Sequence, residues 1–154
     1  MKRLAIVTTH PIQYYAPVFR LLAEQKNAVL RVFYTWGIQS QNKYDPGFGK
    51  TIEWDIPLLE GYDHVFVHNT SPDPGSHHFR GIVNPALLQE VSAWQPDAVL
   101  IYGWNYHSHL RLMRKLKGKI PIWFRGDSHL LDPIPWWKRI LKKAVLSTIY
   151  RYID

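Results

Sequence analysis

Three stretches hold most of the side chains able to do chemistry, and each follows an apolar run. Thr8-Thr9-His10-Pro11-Ile12-Gln13-Tyr14-Tyr15 follows Leu4-Ala5-Ile6-Val7. Gly103-Trp104-Asn105-Tyr106-His107-Ser108-His109 follows Ala98-Val99-Leu100-Ile101-Tyr102. Arg125-Gly126-Asp127-Ser128-His129 follows Ile120-Pro121-Ile122-Trp123-Phe124. Short continuous apolar runs are the signature of strands buried on both faces. In an open α/β sheet the ligand crevice lies beyond the carboxyl ends of the strands. If the strands run parallel, all three stretches open on one edge.

The residue types suggest specific roles. The His10 imidazole titrates near neutrality, so it suits a general base or a donor to a ligand, or a loop histidine satisfied by local backbone. Gln13, Tyr14 and Tyr15 offer amide and phenol groups suited to hydroxyl-rich or aromatic ligands, with one tyrosine expected to pack the first helix. Gly103 permits close backbone approach or simply a turn, and Trp104 offers an apolar platform. Arg125 pairs with phosphate or carboxylate, and Asp127 positions a hydroxyl or acts as a base. The same two residues also suit a structural ion pair at the strand end. His77 and His78 have no second ligand pair at usable spacing, so they read as exposed loop residues and no metal is expected.

Several elements must position these groups. Val18, Phe19 and Leu22 recur at helical spacing, and Val29 to Tyr34 is a second β-prone run. A long irregular stretch from Trp36 to about Leu59 contains one possible short strand, Ile52 to Asp55. Val65 to Val67 reads as a third core strand. Asn84-Pro85 reads as an N-cap followed by proline at the first helical position, with Leu87, Leu88, Val91 and Trp94 as the buried stripe. A further helix runs from about Ser108 through Leu112, Met113 and Leu116 to Gly118. From about Pro135 a long helix gathers Trp136, Trp137, Ile140, Leu141, Ala144, Val145 and Ile149 roughly on one side. Lys138, Arg139, Lys142 and Lys143 lie mostly on the other. That apolar face is expected to pack on the sheet, the alternative being an anionic membrane surface. Strands alternating with helices imply an α/β domain with a mainly parallel sheet covered on both faces.

Composition narrows the class. A chain of 154 residues supports one domain with a sizeable core. It has no cysteine, which excludes a disulfide scaffold and thiolate metal sites. No segment approaches the roughly 18 apolar residues of a membrane span, and the short run after Met1-Lys2-Arg3 is not a targeting segment. The net charge of +7 arises from 19 Lys and Arg against 12 Asp and Glu, and the excess lies in the last third. Such an imbalance suits nucleic acid, anionic lipid or phosphorylated ligands, or a solvated helix face. No nucleic-acid-binding motif is present, so no nucleic-acid partner is expected. There is no Gly-x-Gly-x-x-Gly after the first strand, and Gly49-Lys50-Thr51 lacks the upstream glycine of a phosphate loop. A serine nucleophile elbow is also absent.

Four motifs in fixed order carry a resemblance: Thr-Thr-His-Pro-Ile-Gln-Tyr-Tyr-Ala-Pro at 8–17, Tyr-Asp-Pro-Gly-Phe-Gly at 44–49, Trp-Asp-Ile-Pro-Leu-Leu-Glu-Gly-Tyr at 54–62 and Phe-Arg-Gly-Asp-Ser at 124–128. Along essentially its whole length the chain resembles the amino-terminal half of bacterial GT-B glycosyltransferases close to family 4. The resemblance implies one Rossmann-like three-layer domain over residues 1–154 that binds a sugar acceptor, free or lipid-linked. A separate donor domain, outside this chain, would hold the nucleotide-sugar. It implies transfer of a sugar to an acceptor hydroxyl with no cofactor and no required metal. It also implies a cytoplasmic enzyme of polysaccharide biosynthesis whose acceptor half alone is inactive; peripheral contact with the inner membrane face is the alternative that the basic last helix offers. His10-Pro11-Ile12-Gln13 stands where many family 4 members have a Gly-Gly loop. The candidate catalytic residues are His10 and Asp127, and the candidate substrate-binding residues are Gln13, Tyr14, Gly103, Trp104, Arg125 and Ser128. The rival reading is a stand-alone glycan-binding module without chemistry.

Overall fold

A computed structural model describes residues 1–38, 44–45, 50–51, 56–126 and 135–154, with 44–45 and 50–51 as backbone only. The chain runs β1 (Lys2–Thr8), α1 (Ala16–Glu24), β2 (Ala28–Tyr34), the two-residue strands β3 (Tyr44–Asp45) and β4 (Lys50–Thr51), and β5 (Asp63–Phe66). It continues with α2 (Leu87–Ala93), β6 (Ala98–Tyr102), α3 (His107–Leu116), β7 (Ile122–Arg125) and α4 (Trp136–Tyr150). Five strands form one all-parallel sheet in the order β5-β2-β1-β6-β7, and β3 pairs with β4 as a separate antiparallel ribbon. The fold is a three-layer, Rossmann-like α/β domain.

Apolar residues on both faces of the central strands explain the layering. One core joins Ile6, Leu30, Val32 and Tyr34 to Ala16 and Phe19 of α1. The other joins Ala5, Val7, Phe33, Val99 and Ile101 to α2, α3 and the Ile149 turn of α4. Strand order reverses at β1: the chain steps outward through β2 to β5, then returns to place β6 on the other side of β1. In-register pairs such as Val7 with Phe33 and Val7 with Ile101 bring the carboxyl ends of β1, β2 and β6 level. At the opposite edge Asp97 ties β6 to β1, accepting from the Arg3 N–H at 2.7 Å and from Lys2 Nζ at 2.8 Å. Those two donors hold its carboxyl below the usual range.

Local sequence logic misplaces three features. In α1 the buried residues are Ala16 and Phe19, while Val18 and Leu22 face solvent, because the helix presents only a narrow stripe to the sheet. Strand β7 starts at Ile122 rather than Ile120. The Ile120 N–H is used by the end of α3, and Pro121 has no N–H to offer the ladder. The possible strand Ile52–Asp55 lies outside the described residues. Asn84 is not a cap: α2 begins at Leu87, with Ala86 at the N-cap position.

Tertiary partners take Asn84 instead. Its Nδ2 donates to the carbonyls of Thr35 at 2.8 Å, His68 at 3.0 Å and Val67 at 3.2 Å. Its backbone N–H donates to Ser108 Oγ at 2.6 Å. One buried amide thus joins the ends of β2 and β5 to the start of α2. Three converging carbonyls demand a donor, so Asn84→Ala should cost about 2–3 kcal/mol, and Asn84→Asp at least as much, because a carboxylate would face acceptors only. Urea melts at neutral pH measure both; an unchanged midpoint for either variant would remove this role.

Candidate functional site

The strand reversal puts a crevice between the carboxyl ends of β1 and β6, where open α/β sheets bind ligands. A cavity of about 590 Å³ lies there, a size suited to a small organic ligand. Its walls come from Thr8, Thr9 and His10 after β1, Gly103 to Tyr106 after β6, and Gly126 after β7. The described parts of the three stretches therefore meet, the third through Gly126 alone. Ser76, from the long connection before α2, and Lys142, from α4, complete the wall.

His10 is half-buried and lines the cavity. Its Nδ1 lies 2.8 Å from Thr9 Oγ1, and its ring meets the Trp36 ring edge-on with centroids 5.1 Å apart. If Nδ1 carries the proton and donates it to Thr9, Nε2 is left as the basic nitrogen. Of the neighbouring loop residues, Ile12 and Tyr15 line the cavity whereas Gln13 and Tyr14 do not; Tyr14 is 73% exposed. Tyr15 is the packing tyrosine and the cavity tyrosine at once, tilted against Tyr102 with centroids 4.7 Å apart. Tyr14 and Gln13 therefore stand outside the wall assigned to them.

Gly103 and Trp104 do form the second wall. Gly103 has a φ of +76°, and a Cβ there would approach the Tyr106 ring to 3.3 Å. Gly103→Ala should thus cost about 1–2 kcal/mol from the left-handed backbone alone, read as a lowered melting temperature. A stability equal to the parent would mean the turn relaxes freely. Beneath it lies His109, completely buried. Its Nδ1 is 3.0 Å from both the Tyr102 and Gly103 carbonyls, which fixes the Nδ1–H tautomer. Nε2 then accepts from the Thr35 hydroxyl at 2.8 Å. Burial pulls its pKa from 6.5 down to about 4, outweighing the two carbonyl contacts that raise it. His109 is a strut that holds the cavity turn against β2.

Arg125 packs its guanidinium over the Tyr15 ring at 4.8 Å and the Tyr102 ring at 5.6 Å. Both rings line the cavity, so Arg125 braces its wall through cation–π contact. Asp127 and Ser128 lie outside the described residues, as does any Arg125–Asp127 pair; Gly126, immediately before them, lines the cavity. Among the described lining residues there is no carboxylate, and Lys142 supplies a cation.

Two features escape a sequence reading. Lys142 sits on the basic side of α4, and only packing turns that side toward the cavity. Beside the cavity, sharing Trp104 with it, an apolar groove of about 480 Å³ runs between α3 and α4 past Leu110, Val145 and Ile149. Elsewhere, Asp73 lies 3.4 Å from His77 Nε2 and 3.2 Å from His78 Nε2. The three groups are surface-exposed or nearly so, and such pairs contribute little to stability.

Comparison with protein-family models, with curated proteins and with solved structures finds no match to this chain.

Proposed function

We propose that this domain is the acceptor-binding half of a GT-B glycosyltransferase close to family 4, moving a sugar from a nucleotide-sugar to an acceptor hydroxyl. The observation that carries the reading is the convergence of His10, Gly103, Trp104 and Gly126 on one cavity at the strand reversal. Two of the four stretches behind the family resemblance contribute described residues to its lining: Thr8, Thr9, His10, Ile12 and Tyr15 from 8–17, and Gly126 from 124–128. In this reading Trp104 gives a sugar ring an apolar platform. His10, or Asp127 just past Gly126, takes the acceptor proton, while Lys142 faces phosphate. The apolar groove beside Trp104 suits the chain of a lipid-linked acceptor. The donor nucleotide binds a second domain, and the enzyme works in the cytoplasm without a cofactor.

The test is release of nucleoside diphosphate from UDP-, GDP- and dTDP-sugars, using a lipid extract as acceptor source. Turnover is expected from a protein that carries the donor domain and none from the 154 residues alone. Catalysis by the 154 residues alone would overturn the division of labour. A stand-alone glycan-binding module would bind saccharides yet show no turnover in either form.

A further inference from the structure

The most unusual surface of the domain is α4. Its apolar residues split: Val145 and Ile149 turn toward α3 and the core, while those of the first two turns point away from the sheet. Trp136 is 74% exposed, Ile140 59%, Leu141 58% and Trp137 52%. Helical periodicity puts Trp136, Ile140 and Ala144 in one row and Trp137 and Leu141 in the next. Only Ile149 is buried, so the last turns anchor the helix and its first two turns stand proud of the core. The expectation that this face packs on the sheet is therefore corrected for Trp136, Trp137, Ile140 and Leu141 and holds for Ile149: a periodic pattern defines a face, not the direction in which it points.

Charge identifies what covers it. Lys138 and Lys143 border the apolar rows, Arg139 and Lys142 lie behind them, and residues 136–150 contain no acid. An outward stripe of tryptophan and aliphatic side chains bordered by cations is the pattern of a helix lying in the interface of an anionic bilayer. Tryptophan suits the headgroup level, and the cations meet lipid phosphates. At about 22 Å, the helix is too short to span a bilayer and long enough to lie along one. No described helix is long and apolar enough to cross a membrane. Helix α1 provides the internal contrast. It also exposes Val18, Leu21 and Leu22, but its one cation, Arg20, donates to the carbonyls of Pro57 and Glu60, and Glu24 is acidic.

We infer that α4 docks this domain on an anionic membrane surface, its Trp136/Trp137/Ile140/Leu141 face entering the interface and its lysines engaging lipid phosphates. The inference rests on the helix alone and stands whether or not the domain transfers sugars. Because Lys142 and the Trp104 groove adjoin this helix, docking would set the cavity beside the bilayer.

The experiment is co-sedimentation of the whole chain with phosphatidylcholine vesicles, with and without about one third phosphatidylglycerol. Partitioning should be at least about tenfold stronger on the anionic vesicles and should fall as salt is raised. Trp137→Glu with Ile140→Glu should abolish it, and Lys138→Gln with Lys143→Gln should weaken it. Leu21→Glu in α1 should leave it intact. These positions are exposed, so circular dichroism and melting should match the parent and separate lost docking from lost folding. Equal binding to both vesicle types, or retention by the folded α4 variants, would overturn the inference. So would a concentration-dependent dimer in sedimentation velocity that the α4 variants abolish, since a second copy would then cover the face.

Discussion

Replacing His109 by alanine is expected to cost about 3–4 kcal/mol of folding stability at pH 7. The imidazole fills a fully buried position and bonds three groups: the Tyr102 and Gly103 carbonyls and the Thr35 hydroxyl. Truncation leaves those groups facing a void at the junction of β2, β6 and α3. The same residue makes stability depend on pH. In the folded protein it titrates at about 4, against an ordinary 6.5. Between those values the unfolded chain binds a proton that the native state refuses, so stability rises with pH across this window. The contribution is complete above pH 6.5 and is lost as pH falls toward 4, by an amount on the order of 3 kcal/mol. His109→Asn keeps an amide donor for the two carbonyls, so it should recover part of the stability at pH 7. It should also flatten the pH 4 to 6.5 slope. Denaturant melts across that range measure both effects, and an unchanged slope in His109→Asn would assign the pH dependence to another group.

On the proposed reading, His10→Ala in the protein carrying its donor domain should lower kcat by about 10²–10⁴-fold, the usual contribution of a general base. Imidazole at this position has the Thr9 hydroxyl beside Nδ1 and the cavity along its ring. A base shows itself as loss of kcat together with loss of the acidic limb of the pH–rate profile. A ligand donor shows itself mainly in KM, with the limb retained. Asp127→Ala supplies the comparison, because a carboxylate base would shift the lost limb to lower pH. If both variants keep parental turnover, neither residue takes the proton.

Much of the fold is legible in the residues because buried parallel strands need continuous apolar runs. Leu4 to Val7 and Ala98 to Tyr102 announce themselves in this way, as does Val29 to Tyr34 despite Arg31, and the strand that follows α3 is displaced only by the proline at 121. That the three polar stretches share one edge is legible for the same reason, since a parallel sheet leaves them no other. What fails is whatever depends on a partner distant in sequence. Asn84 looks like a cap because Asn-Pro is a local signal, whereas its amide is claimed by carbonyls from two other strands. His109 is one of three polar residues in a row, and nothing nearby reveals that Thr35, just past the end of β2, is its partner. Lys142 and the outward face of α4 depend on how one helix is rolled about its axis, which periodicity leaves open. Tyr14 and Tyr15 are adjacent and chemically identical; only the start of α1 sends one to solvent and the other to the cavity.

The central claim is that the crevice at the β1–β6 reversal receives a hydroxyl-bearing acceptor. It is tested most directly by amide and indole NMR of this chain titrated with octyl glucoside, octyl galactoside and an alkyl N-acetylglucosaminide, in parallel with nucleotide-sugars. The account predicts saturable shifts at Thr9, His10, Gly103, Trp104 and Lys142 with at least one glycoside, the Trp104 indole signal being identified by Trp104→Phe. Saturable binding of a nucleotide-sugar in that crevice, with no glycoside perturbing it, would contradict the account.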